Sequence, residues 1–146
     1  MWLENSSMII KEMGILGILG WNAWLDIKKQ QISLAASGIL AIAGFIWAWH
    51  GNRLGFSYFL GIFTGFCVVG LGVLTKGEIG IGDGILVLAL GMALEWERLV
   101  VSLMLGLLAC AIVSGILMFA LHKGRKTRIP FAPFLFLGYI GASCII

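Results

Sequence analysis

Asp26 and Asp83 are the residues of this sequence best suited to do chemistry, because each stands at the edge of a long apolar segment in a chain poor in charge. An ionised Asp inside lipid costs roughly 2.5 to 3.5 kcal/mol even on lenient insertion scales, so its presence there asks for a reason. Asp83 also lies in Gly80-Ile81-Gly82-Asp83-Gly84, a run whose glycines let backbone or substrate come close to the carboxylate. Two carboxyl groups a few ångströms apart do not both ionise readily, so near neutral pH they tend to share one proton. One member then acts as base and the other as acid. The ionised member takes a proton from water, that water attacks a peptide carbonyl, and the protonated member supports the carbonyl oxygen and assists the leaving amine. Such hydrolysis needs no metal, no cofactor and no nucleophilic side chain. The pair titrates as a unit, so acid and base roles are not assigned individually.

The elements that must position these residues are apolar helices. Of 146 residues, 60% are hydrophobic and 12% charged, and the mean hydropathy of +1.04 lies outside the range of soluble domains. Composition and length predict an all-α integral membrane protein, one polytopic domain over residues 1–146, with about six spans of roughly 20 residues each. Apolar runs fall at 8–25, 32–49, 56–74, 84–94, 99–121 and 131–146. The fourth rises only about 16 Å as a helix, roughly half of the hydrocarbon thickness. Its N-terminal end, carrying Asp83, therefore lies below the membrane surface, where irregular backbone is tolerated only inside protein or beside water. Lys11 followed by an apolar run imitates a signal peptide, but no A-x-A site follows, and the segment reads as a retained first span.

Charge sets the orientation. The first, third and fifth connections carry Lys28 and Lys29, then Lys76, then Lys123, Arg125, Lys126 and Arg128, whereas the second and fourth carry only Arg53 and Arg98. By the positive-inside rule the odd-numbered loops are cytoplasmic and both termini lie outside. Both aspartates then fall at the cytoplasmic ends of their helices. The net charge of +3 reflects this loop bias, and no nucleic-acid partner is expected.

Cys67, Cys110 and Cys144 lie in apolar segments without C-x-x-C spacing, which predicts buried, inert thiols. Gly14, Gly17 and Gly20 in the first span, with Gly61 and Gly65 in the third, have the spacing of close helix contacts. Trp21, Trp24, Trp47, Trp49 and Trp96 sit near span ends as interfacial anchors.

Plainer readings fit each residue alone. Asp26, with Lys28 and Lys29, fits a polar marker of a helix end; Asp83 fits an N-cap, and its glycines a turn. Two aspartates on one membrane face favour the pair. A dinucleotide fingerprint would need Gly where Ile85 stands, and a phosphate loop a Gly-Lys-Ser/Thr ending that is absent. A small transporter binding a proton or cation at the two carboxylates is the competing class. It accounts less well for two acids at one face, since transport sites tend to lie near the midplane.

Three segments resemble the type IV prepilin peptidase family, membrane aspartic proteases that share a Gly-x-Gly-Asp (GxGD) signature with presenilin and signal peptide peptidase. Asp26 leading to Ile32 in Asp-Ile-Lys-Lys-Gln-Gln-Ile-Ser is similar to the family's first catalytic stretch. Gly80-Ile81-Gly82-Asp83 matches the second, and Arg128-Ile129-Pro130-Phe131-Ala132-Pro133-Phe134 resembles the Ile-Pro-Phe-Gly-Pro-Phe segment that opens the last helix. The resemblance implies the GxGD aspartic protease fold, Asp26 and Asp83 as the catalytic pair, and Gly80, Gly82 and Gly84 as the active-site loop. It implies cleavage, on the cytoplasmic side of the cell membrane, of the leader from a type IV pilin-like precursor. No cofactor is implied, and the bilayer is the other partner. Pro130 and Pro133 would shape the start of the last helix, and Glu78 is a candidate for tuning or leader contact. Nothing in the sequence supplies the N-terminal methyltransferase domain with paired C-x-x-C motifs that many members carry, so peptidase activity without methylation is expected. The chain departs from the family at Ile85, where members have Lys, and at Ser33, where they have Pro. An inactive homologue acting in assembly is the alternative these departures leave.

Overall fold

The computed structural model describes residues 2–76, 80–120 and 129–146, and every regular element among them is helical. The elements are α1 (Trp2–Lys29), α2 (Leu34–His50), α3 (Phe56–Leu74), α4 (Ile81–Ala93), α5 (Trp96–Phe119) and α6 (Ala132–Ile145). Two are long and apolar enough to cross a membrane by length and composition, α3 and α5, while α2, α4 and α6 are shorter apolar helices.

Caps and turn residues explain the boundaries. Basic Lys28 and Lys29 occupy the last turn of α1, where cations complement exposed carbonyls. Gln30 then takes a left-handed conformation (φ 51°) that stops the helix, and its amide donates to the Asp26 carbonyl at 2.9 Å. Ser33 caps α2, its Oγ accepting from the Ala36 amide at 3.2 Å. Gly80 is the N-cap of α4, so the helix begins at Ile81, three residues before the apolar run read from sequence. Asp83 is therefore inside the first helical turn and is not itself the cap.

Packing divides the helices into two groups. In one, α4 lies against α2 and α3 and buries Leu86, Val87, Ala89 and Leu90. In the other, α6 lies against α1 and α5 and buries Leu135 and Tyr139. Glycine lets backbones touch at the first of these seams: a Cβ on Gly61 would meet the Gly91 carbonyl oxygen at 2.7 Å, and one on Gly84 would meet Val69 Cα at 2.9 Å. Gly61 and Gly65 thus make the close contacts their spacing predicts. Gly14 and Gly17 do not, since a Cβ on either meets nothing within 4 Å, and one on Gly20 meets only the Phe136 ring at 3.7 Å.

The outer surface is strongly apolar, with Phe59, Phe63 and Phe66 of α3 and Leu107, Ile112 and Ile116 of α5 all exposed. Cys67 and Cys144 are exposed on it and Cys110 is half-buried. The expectation of buried thiols is thereby corrected: an apolar segment with an outward face carries its cysteines there as readily as its phenylalanines. At the end of the bundle remote from Asp26, Arg98 pairs with Glu12 at 2.6 Å, Tyr139 donates to the same carboxylate, and Arg53 pairs with Glu95 at 3.0 Å.

Candidate active site

Asp26 projects from the last turn of α1 and is only 6% exposed, so it faces inward. A free helix-end marker would face water. Its Oδ2 accepts from the Ala132 amide at 2.9 Å, and the Phe131 backbone is a second hydrogen-bond partner. Those groups stand at the start of α6, where the first amides of a helix lack intrahelical acceptors. The carboxylate of α1 thus performs for α6 the service an N-cap side chain usually performs, and the Phe131 position itself makes no side-chain cap bond. Pro133 lies in the first turn of α6, where a missing N–H costs nothing. Pro130 lies in the segment leading to it and lines the cleft described below.

Asp83 is placed by its glycines. The Asp83 and Gly84 amides donate to the Gly80 carbonyl at 3.0 and 3.2 Å, winding the first turn of α4. A Cβ at Gly80 would lie 2.7 Å from Asp83 Oδ2, so the carboxylate folds back over a backbone that has room for it only because residue 80 is glycine. At Gly82 a Cβ would come 3.2 Å from the Cβ of Ile32, so the stretch after Asp26 packs directly on the turn that carries Asp83. Gly84 faces the other way, onto Val69 of α3. The three glycines therefore have three separate tasks: placing the carboxylate, admitting the α1–α2 connection, and docking α4 on α3.

Asp26 and Asp83 line the same cleft, of about 440 Å³. Its remaining wall mixes the amides of Gln30 and Gln31 with the apolar Ile81, Ile85, Ile129 and Phe131. Pro133 and Gly84 do not line it. Glu78 lies outside the described residues, as does the basic segment 123–128. Among the described residues no group of three or more metal-ligating side chains comes together. A cleft carrying two carboxyl groups, amide donors and an apolar wall can accept an extended peptide and a water and can move protons to and from both.

Asn22 does not line the cleft but is a buried polar residue next to it that the sequence reading did not single out. It is wholly buried one turn before Asp26, and its Oδ1 accepts from the Ser33 amide at 2.9 Å. Its spacing of four from Asp26, which puts both on one face of α1, was the available signal.

The model of the type IV leader peptidase family matches residues 13–115. That range takes in Asp26, Asn22 and the run from Gly80 to Gly84, and it ends before Pro130. Comparison with curated proteins and with solved structures gave no significant match.

Proposed function

This chain belongs to the type IV leader peptidase family, and from that premise we propose that it is a membrane-embedded aspartic endopeptidase acting through Asp26 and Asp83. A protease acting on a protein substrate is what the family implies; the aspartic mechanism and the identity of the substrate are our reading. The observation that carries it is that the two aspartates, 57 positions apart by number (83 − 26), line one cleft.

The reaction follows from the groups in the cleft. A water held between the carboxyl groups loses a proton to the ionised member as its oxygen attacks the scissile carbonyl carbon. The protonated member donates to the carbonyl oxygen, and collapse of the tetrahedral species passes a proton to the departing amine. The Ala132 amide fixes Asp26 Oδ2 throughout, and Gly80 leaves Asp83 its position.

The substrate we propose is a type IV pilin-like precursor, cut where a short basic leader meets an apolar helix. The apolar wall of Ile81, Ile85 and Phe131 suits the apolar side of such a junction. The bilayer supplies the setting: outward phenylalanines on α3 and apolar side chains on α5 are stable against lipid and costly in water. Lys28, Lys29 and Lys76 lie at the ends of α1 and α3 nearest the cleft, and the connection from α5 to α6 adds Lys123, Arg125, Lys126 and Arg128 by sequence, against Lys11, Arg53 and Arg98 toward the opposite end, a bias that supports a site on the cytoplasmic side. A second reading, an inactive homologue, is favoured by one observation: Ile85 lines the cleft where family members have Lys.

Co-expression with a tagged pilin-like precursor, followed by mass spectrometry of its N-terminus, separates the two. Removal of the leader, dependent on this chain, supports the peptidase. An intact precursor, when a known leader peptidase processes the same protein in parallel, supports the inactive homologue.

A further inference from the structure

We propose that Asn22 is a positioning residue that holds the two aspartates in register by clamping the α1–α2 connection; the proposal rests on the peptidase reading for its effect on turnover but not for its geometry. The links are contiguous. Asn22 and Asp26 stand one turn apart on the buried face of α1, 0% and 6% exposed. Asn22 Oδ1 accepts from the Ser33 amide at 2.9 Å. Ser33 is the cap of α2 and directly follows Ile32, whose Cβ lies 3.2 Å from where a Cβ on Gly82 would stand. Gly82 directly precedes Asp83. One carboxamide thus ties the helix of the first aspartate to the loop that abuts the turn of the second.

The cost of Asn22 argues that it is not there for stability. Its Nδ2 is buried with no protein hydrogen-bond partner among the described residues. An apolar side chain of similar size would remove that unsatisfied donor. Ser33 is only half-buried, so loss of its acceptor costs less than at a fully buried amide. The Ser33 amide exists because residue 33 is not proline. The φ of −71° suits proline, but a proline Cδ would stand where the amide hydrogen now points at Asn22 Oδ1, 2.9 Å from the nitrogen, so proline at 33 and asparagine at 22 exclude one another as they stand.

The test is disulfide trapping of Ile32→Cys with Gly82→Cys, in a background where Cys67, Cys110 and Cys144 are alanine, in nanodiscs under mild oxidation. Their Cβ spacing is close to what a disulfide requires. Asn22→Leu should slow trapping by about two- to tenfold, the worth of one hydrogen bond, while leaving thermal stability equal or higher. Asn22→Ala, which also lacks the acceptor but differs in volume, should slow trapping to the same extent, so a loss set by packing instead of the hydrogen bond would separate the two variants. In otherwise unmodified protein, Asn22→Leu should lower kcat for leader removal with KM unchanged. Unchanged trapping, unequal effects of Asn22→Leu and Asn22→Ala, or slower trapping with unchanged kcat would overturn the proposal. Failure of the intact protein to process any precursor would overturn the peptidase reading instead, and the trapping result would still decide the clamp.

Discussion

Replacing Gly80 by alanine should disable catalysis while sparing the fold. The added Cβ would lie 2.7 Å from Asp83 Oδ2, and ordinary contact begins near 3.4 Å, so the carboxylate must retreat by about 0.7 Å. Misplacement of a reacting group by about 1 Å costs on the order of a hundredfold in rate, so a loss of roughly ten- to a hundredfold is expected. That corresponds to about 1.4 to 2.7 kcal/mol of barrier. Stability should hardly move. Gly80 has φ −58° and ψ 121°, which alanine adopts without strain. The group displaced is the far end of a side chain, and the smaller entropy of the unfolded alanine chain offsets a slightly poorer cap, leaving a net change within about 0.5 kcal/mol. The assay is leader removal from a purified precursor in detergent or nanodiscs, with thermal unfolding measured on the same sample. Processing by Gly80→Ala at the rate of the intact protein, with stability unchanged, would refute the claim that glycine at this position sets the place of Asp83.

Other substitutions should separate folding from chemistry in different proportions. Gly84→Ala drives a Cβ onto Val69 Cα at 2.9 Å, and because backbone cannot swing aside, α3 and α4 must part at a cost of about 1 to 3 kcal/mol, read as a lower unfolding midpoint. Asp26→Asn keeps an oxygen that accepts from the Ala132 amide and should fold normally yet be inactive, whereas Asp26→Leu should be inactive and also about 1 to 3 kcal/mol less stable, because that amide loses its buried acceptor. Arg98→Leu removes one of the two partners of Glu12, leaving Tyr139, at the far end of the bundle and should lower stability by about 1 to 2 kcal/mol while leaving leader removal per folded molecule unchanged.

The helices were legible in the sequence because their apolar runs are long and bounded by charge. The third run, 56–74, coincides with α3, four others end within three residues of their helices, and α1 starts six residues before the run at 8–25 and ends four after it. The α4 boundary lies earlier for a physical reason: Gly80 to Gly82 read as loop by propensity, but Gly82 is wedged against Ile32, and packing outweighs the helical cost of glycine. Charge economy singled out the two aspartates of the proposed site, which the structure brings to one cleft. Their supports were not legible, since Ala132 is 106 positions from Asp26, and nothing local to either tells that an α1 carboxylate serves the first amides of α6. The outward cysteines and the uncrowded Gly14 and Gly17 were misjudged for a related reason: in a chain this apolar, composition does not distinguish a face turned to protein from one turned outward.

The proposed chemistry needs two carboxyl groups acting as one unit, and the most direct measurement is the rate of leader removal by purified intact protein, Asp26→Asn, Asp83→Asn and the double variant, at matched amounts of folded protein. Residues that act as a unit are strongly non-additive, so each single variant is predicted to fall to the background rate and the double variant to fall no further. Retention of near-intact activity by either single variant would contradict the pair and, with it, the assignment of this cleft as the active site.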